Sequence, residues 1–135
     1  MTGKTVITYG TFDLFHIGHL RLLERAKALA GEGGRLIVAV STDRFNLVEK
    51  GKRSSIRDVE RMEIVRALRC VDEVIPEDSW EQKAQDVDRY GVDIFVMGDD
   101  WKGKFDFLED KCEVVYLPRT PDISSTELKD DIRKG

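Results

Sequence analysis

Cysteine is scarce in this chain of 135 residues, and the scarcity narrows what the protein can be. The two that occur, Cys70 and Cys112, stand far apart, in no C-x-x-C pair and no Cys/His cluster. That argues against a disulfide framework or a structural zinc site and favours a reducing compartment. Excess charge is also slight, formally -4 at pH 7, so no global field gathers nucleic acid. A positive site for an anionic ligand must therefore be local. No charged-then-apolar leader opens the sequence, and no apolar run approaches the roughly 20 residues that span a bilayer. The expectation is a cytoplasmic protein with no nucleic-acid partner and no membrane insertion. A G-x-x-x-x-G-K-[ST] loop is missing, which excludes P-loop chemistry. No G-x-G-x-x-G follows the first apolar run, which argues against a dinucleotide site of the usual kind.

What is present is a core and an alternating pattern. The hydrophobic fraction of 41% suffices for a packed interior. The length fits one domain spanning 1–135. Short β-rich runs occur at Thr5–Gly10, Leu36–Ser41, Glu73–Pro76, Asp93–Gly98 and Glu113–Pro118. Most are continuously apolar, as strands covered on both faces are. Helical stripes lie between them: Leu20, Leu23, Ala26 and Leu29–Ala30; then Val59, Met62, Val65 and Leu68; then Trp80, Ala84 and Val87. Ser79-x-x-Gln82 has the form of a capping box opening the third, and a last short helix is expected from near Ser124 toward Arg133. The alternation predicts an α/β fold: a single Rossmann-like domain with a mainly parallel five-stranded sheet and helices on both faces. Ligands of such sheets bind at the carboxyl ends of the strands, near the switch in strand order.

Four segments fall where chemistry is expected. Tyr9–His19 joins the first strand to the first helix and contains both histidines of the chain, in His16-Ile17-Gly18-His19. Gly10 permits a tight exit or close approach, and Gly18 lets a phosphate near the helix start, whose free N–H groups favour an anion. His16 and His19, three apart, face one side and can donate to a transferring phosphoryl group. A lone histidine would more often cap or pack; two in one turn favour function. Arg119–Thr126 (RTPDISST) offers hydroxyls, N–H groups and a guanidinium before the last helix, although Ser124-x-x-Glu127 serves equally well as a plain capping box. Glu49–Arg61 is rich in both charges, and Lys50-Gly51-Lys52 reads as a mobile loop over a polyphosphate or as ordinary solvated surface. Met97–Trp101 places two aspartates at a strand end, able to meet Mg²⁺ or a nucleoside, or to form a simple turn.

Together these segments resemble the cytidylyltransferase branch of the HxGH nucleotidyltransferase superfamily, with bacterial glycerol-3-phosphate cytidylyltransferases as the nearest pattern. The likeness spans nearly the whole chain, through TVITYGTFDLFHIGH, STDRFNL, VDEVIPEDSWEQK, FVMGDDWKGKFDFL and CEVVYLPRT. The His-x-Gly-His pair is superfamily-level, whereas GDDW-x-GKFDFL followed by Y-LPRT is far more specific. The resemblance implies transfer of a cytidylyl group from CTP to sn-glycerol 3-phosphate, giving CDP-glycerol and pyrophosphate, with Mg²⁺ as the cofactor and metal ligands unknown. It implies catalytic roles for His16, His19, Lys50 and Arg119. Gly10, Thr11, Phe12, Gly18, Lys52, Asp100, Thr120, Ile123, Ser124, Ser125 and Thr126 would bind the nucleotide, and Lys50 and Lys83 the acceptor. A homodimer is implied as well, with Arg69–Ile75 at its interface.

Rival readings are an adenylyltransferase of similar fold, FAD-synthetase-like, and a cytidylyltransferase for phosphoethanolamine or phosphocholine. A cationic headgroup calls for an aromatic or acidic cage, for which Trp80 and Trp101 are candidates, but Lys83 favours an acceptor without positive charge. A catalytically silent nucleotide-binding dimer is a third alternative, although no essential motif is missing. Class I aminoacyl-tRNA synthetases share the literal His-Ile-Gly-His string, but there is no room for tRNA-binding parts and no K-M-S-K-S-like segment. The loop around Val48–Arg57 is one residue longer than the nearest pattern, which loosens the alignment of Lys50 and Lys52. Asp122 stands where the family pattern has glycine. Aspartate tolerates a positive φ better than most residues, so the turn is expected to survive, with a negative charge added near the triphosphate. Asp122→Gly is therefore expected to lower KM for CTP, and an unchanged KM in steady-state kinetics overturns that expectation.

Overall fold

The computed structural model describes residues 3–118. The apolar runs become strands because each is flanked by helices that cover both of its faces. They are β1 (Thr5–Gly10), β2 (Arg35–Ser41), β3 (Glu73–Glu77), β4 (Ile94–Gly98) and β5 (Glu113–Leu117). The helices are α1 (Ile17–Ala30), α2 (Asp43–Lys50), α3 (Asp58–Arg66) and α4 (Gln82–Arg89), with single 3₁₀ turns at Asp99–Trp101 and Asp106–Leu108. Every ladder is parallel, in the order β3-β2-β1-β4-β5. The chain steps outward from β1 to β3, then returns past β1 to β4 and β5. The strand order therefore reverses between β1 and β4, and a crevice opens beyond their carboxyl ends.

Strand alternation divides the core into two layers. Val6, Leu36, Val38, Val40, Ile94 and Val96 face Leu23, Ala26 and Ala30 of α1 and Val65 of α3. Ile7, Tyr9, Ile37, Ala39, Phe95 and Met97 face Val87 of α4 together with Val92, Phe105 and Leu108. Helices on both faces of a parallel five-stranded sheet are thus as expected. Among the described residues, no helix is long and apolar enough to cross a membrane.

Several local expectations are corrected. The segment before Gly51 is a helix, α2, not part of a loop. Thr42 Oγ1 caps it by accepting from Phe45 N at 3.1 Å, and Gly51 ends it with a left-handed φ of 64°. Only Phe45 and Asn46 of α2 are buried, so its apolar stripe is too thin to register in the sequence. The Ser79 capping box does not form either. α4 starts at Gln82, whose side chain instead accepts from Asp78 N at 2.8 Å and donates to Pro76 O at 2.8 Å. Trp80 precedes the helix, and Leu68 lies beyond the end of α3. The helix expected after Ser124 lies outside the described residues.

Three polar clamps shape the crevice. Arg61 is almost wholly buried (1% exposed), with Nε donating to Ile56 O at 2.8 Å and Nη1 to Thr11 O at 2.7 Å and Ser41 O at 2.8 Å. Its Nη2 meets Asp43 Oδ1 at 2.5 Å. Asp43 and Asp58 cap each other's helices, Asp43 N donating to Asp58 Oδ2 at 2.9 Å and Asp58 N to Asp43 Oδ2 at 3.2 Å. Asp13, also buried, accepts from Leu14 N (3.2 Å), Ser55 N (2.7 Å) and Ile56 N (2.9 Å). Replacing Arg61 by methionine keeps bulk but leaves three carbonyl oxygens without their donor. A loss of about 3–5 kcal/mol is expected, read as a lower urea midpoint at unchanged m-value, whereas a loss below about 1 kcal/mol would show that water replaces the guanidinium.

Candidate active site

A cleft of about 780 Å³ occupies the crevice beyond β1 and β4. Every candidate residue within the described chain lines it: Gly10, Thr11, Phe12, His16, Gly18, His19, Lys50, Lys52, Lys83 and Asp100. Arg119, Thr120, Ile123, Ser124, Ser125 and Thr126 lie outside the described residues. So does Asp122.

The β1–α1 turn forms the first wall. A Cβ on Gly10 would come within 2.9 Å of the Phe12 ring, so the glycine is required by that aromatic side chain. Phe12 and Leu14 hold positive φ of 55° and 47°, a left-handed conformation that bulky residues rarely adopt. Asp13, between them, supplies the hydrogen bonds that hold the turn. α1 then opens at Ile17 with no acidic residue in its first turn, leaving the positive end of the helix open to an anion.

The two imidazoles stack with ring centroids 3.9 Å apart and planes 21° off parallel. His16 Nδ1 accepts from Gly18 N at 3.0 Å, and His19 Nδ1 accepts from His16 N at 3.2 Å. The histidines therefore do cap the helix. A neutral imidazole that accepts at Nδ1 carries its proton on Nε2. Both rings are thus held as Nε2–H donors. His16 Nε2 is buried and meets no partner among the described residues, the kind of polar atom that a ligand acceptor would satisfy.

The second wall is cationic. Lys50 ends α2, so its side chain is directed by a helix rather than by a loop. Its Nζ lies 3.3 Å from Ser41 Oγ and 5.0 Å from the centre of the Phe45 ring. Burial pushes the Lys50 amine down from its ordinary pKa; Glu77 opposes this, and the charges of Lys83, Lys52 and Arg61 add to it. Polyphosphate oxygens entering here would relieve that cation repulsion. Lys52 and Arg53 follow on the same side, beside Ser54, whose Oγ accepts from Asn46 Nδ2 at 3.2 Å.

The third wall carries groups the sequence did not single out. Glu77, at the end of β3, is 1% exposed and forms an ion pair with Lys83, which is 2% exposed. Glu77 Oε1 accepts from Ser41 Oγ at 3.0 Å. Tyr9 and Phe105 join Trp80 around this pair, while Asp99, Asp100 and Trp101 close the far side. A charged residue directly after the apolar Val74-Ile75-Pro76 of β3 was the available signal for Glu77; Arg61 had none, being one of many charges in Glu49–Arg61. Among the described residues no group of three or more His, Cys, Asp or Glu side chains is placed to hold a metal.

Burial lowers the pKa of His16, and burial together with the neighbouring His16 lowers that of His19 to about 4, against a smaller opposing effect from Asp13. The unfolded chain binds a proton at His19 near pH 6.5, while the folded chain does so only near 4. Stability from this group is complete above pH 6.5 and falls as pH drops toward 4, by on the order of 2–3 kcal/mol. Urea unfolding across that window is expected to show the loss. His19→Gln should flatten the slope, and an unchanged slope would assign the proton uptake to other groups.

A family model described as cytidylyltransferase-like matches residues 7–131. The chain is 60% identical over 129 residues to glycerol-3-phosphate cytidylyltransferase of Bacillus subtilis (strain 168), covering 96% of this chain and 97% of that protein. It is 53% identical over 129 residues to glycerol-3-phosphate cytidylyltransferase of Staphylococcus aureus (strain NCTC 8325 / PS 47), covering 96% and 95%. Among solved structures, a lipopolysaccharide core biosynthesis protein from Thermoplasma volcanium GSS1 superimposes with a TM-score of 0.73 at 24% identity, covering 87% of this chain and 98% of that one. That last likeness concerns the fold.

Proposed function

The chain belongs to the cytidylyltransferase-like family, and from that premise we propose that it transfers a cytidylyl group from CTP to sn-glycerol 3-phosphate. The products are CDP-glycerol and pyrophosphate. The observation that carries this reading is the near full-length identity to glycerol-3-phosphate cytidylyltransferases, joined to a cleft in which paired imidazole donors face a cationic wall.

An oxygen of the acceptor phosphate attacks the α-phosphorus of CTP in line. The new O–P bond forms as the bond to the bridging oxygen breaks, and pyrophosphate departs with that electron pair. No proton need leave the attacking phosphate oxygen at neutral pH, so the histidines act as hydrogen-bond donors and no base is required. His16 and His19 present Nε2–H groups to phosphate oxygens whose charge grows in the transition state. Lys50 and Lys52 offset the charge on the β- and γ-phosphates, and Lys50 and Lys83 also face the acceptor. Gly10, Thr11, Phe12 and Gly18 shape the nucleotide pocket, with Asp100 toward the nucleoside. Arg119, Thr120, Ile123 and Ser124–Thr126 hold the triphosphate on this reading.

Nucleotidyltransferases generally use divalent cations, and we take the ion here to be Mg²⁺. Mg²⁺ needs few protein ligands when phosphate oxygens complete its shell, which fits a cleft without a carboxylate cluster among the described residues. When bound it neutralises phosphate charge. A homodimer working in the cytoplasm completes the reading, and the exposed Val59 and Ile64 of α3 suit a subunit contact near Arg69–Ile75.

Pyrophosphate release measured for CTP and ATP against several phosphorylated acceptors tests the assignment. Turnover is expected with CTP and glycerol 3-phosphate, and His16→Ala should reduce kcat by about 10²–10³. No turnover with any pair of nucleotide and acceptor would sink the reading.

A further inference from the structure

The cleft contains an aromatic box that the protein fills with its own cation. Lys83 Nζ lies 4.8 Å from the ring centre of Tyr9, 4.8 Å from Trp80 and 5.4 Å from Phe105. Glu77 pairs with it at the base of the box, and both side chains are nearly sealed from solvent. The frame is fixed from outside. The Tyr9 hydroxyl donates to Asp86 Oδ2 at 2.6 Å, which also accepts from Gln82 Nε2 at 3.0 Å. Trp80 meets the Phe45 ring edge-on at 5.1 Å.

Faces of aromatic rings converging on a carboxylate are what an ammonium ligand requires. Here that requirement is met internally. We propose that Lys83 and Glu77 are a specificity-determining pair: Lys83 fills the space and cancels the charge that would receive a cationic headgroup, so phosphate acceptors bearing trimethylammonium or ammonium groups are rejected. A cationic headgroup would meet Lys83, with Lys50 close by on Ser41, and would find the ring faces already engaged. A neutral polyol phosphate meets no such opposition, and its dianion gains from both lysines. The discrimination is thus set by what the site already contains. This inference rests on the acceptor reading above.

The variant that tests it is Lys83→Ala, which empties the box and exposes Glu77 to it. With CTP as donor, the ratio of kcat/KM for glycerol 3-phosphate over phosphocholine is expected to fall at least a hundredfold, with phosphocholine turnover rising above wild type. An unchanged KM for CTP reports an intact nucleotide site. Loss of glycerol 3-phosphate turnover with that KM retained and no gain on phosphocholine overturns the proposal.

Binding gives a readout that needs no turnover. Tetramethylammonium should quench the tryptophan fluorescence of Lys83→Ala saturably and leave wild type unaffected. If wild type releases no pyrophosphate from CTP and glycerol 3-phosphate, the acceptor reading fails, and the titration still decides whether the box takes a cation. Should Lys83→Ala not fold because Glu77 is left unpaired, Lys83→Ala/Glu77→Gln removes that charge and keeps the rings. It should still bind tetramethylammonium better than wild type does, and equal or absent binding overturns the proposal.

Discussion

The buried guanidinium of Arg61 is the interaction on which the rest of the cleft depends. It joins the end of β1 through Thr11 O, the end of β2 through Ser41 O and the loop before α3 through Ile56 O. Those three points border the crevice where the strand order reverses. A planar fork with five donors can satisfy several fixed carbonyls at once, which an ammonium on a flexible stem cannot do with the same geometry. Its charge is offset by Asp43, and Asp43 in turn shares the helix starts of α2 and α3 with Asp58. The position of Lys50 at the far end of α2 follows from this arrangement. Asp13 completes it by holding Ser55 and Ile56 from the β1 side.

Within that frame the cleft combines two electrostatic styles. The histidine pair is half-buried and neutral, with proton positions set by backbone N–H groups that occupy each Nδ1. Such donors cost little reorganisation when phosphate charge develops. The opposite wall is ionic, with Lys50, Ser41, Glu77 and Lys83 linked in one hydrogen-bonded chain. Burial makes these charges strongly interdependent, because low dielectric amplifies both attraction and repulsion. Neutral donors therefore suit a reacting phosphate, and a compensated ion pair suits discrimination between acceptors by charge.

Much of the fold was legible in the sequence. The five strands appear within a residue or two of their expected limits, since a strand covered on both faces must be continuously apolar. α1 begins at Ile17, close to the helix start expected near Gly18. α2 was not legible. Its stability comes from Thr42, Gly51 and the aspartate pair with α3, with only two buried side chains to leave a periodic trace. Trp80 matched a helical spacing but sits before α4, where it serves the cleft. Ser79-x-x-Gln82 had the letters of a cap, yet Gln82 found its partners at Pro76 and Asp78.

For the site, residue types near the strand ends already named His16, His19, Lys50, Lys52 and Asp100, and the family resemblance added Lys83. The reason is physical: in a parallel sheet, carboxyl-end residues share a crevice whatever their separation along the chain. Sequence alone therefore determined the fold class, the crevice and most of the candidate groups that line it. What it could not contain was partnership. That Lys83 pairs with Glu77 inside three rings, that His16 and His19 hold their protons on Nε2, and that Arg61 is a buried clamp and not one more surface charge were decided by tertiary structure. Each depends on groups brought together from different elements, and a charge or a ring acquires its role only from what is packed against it.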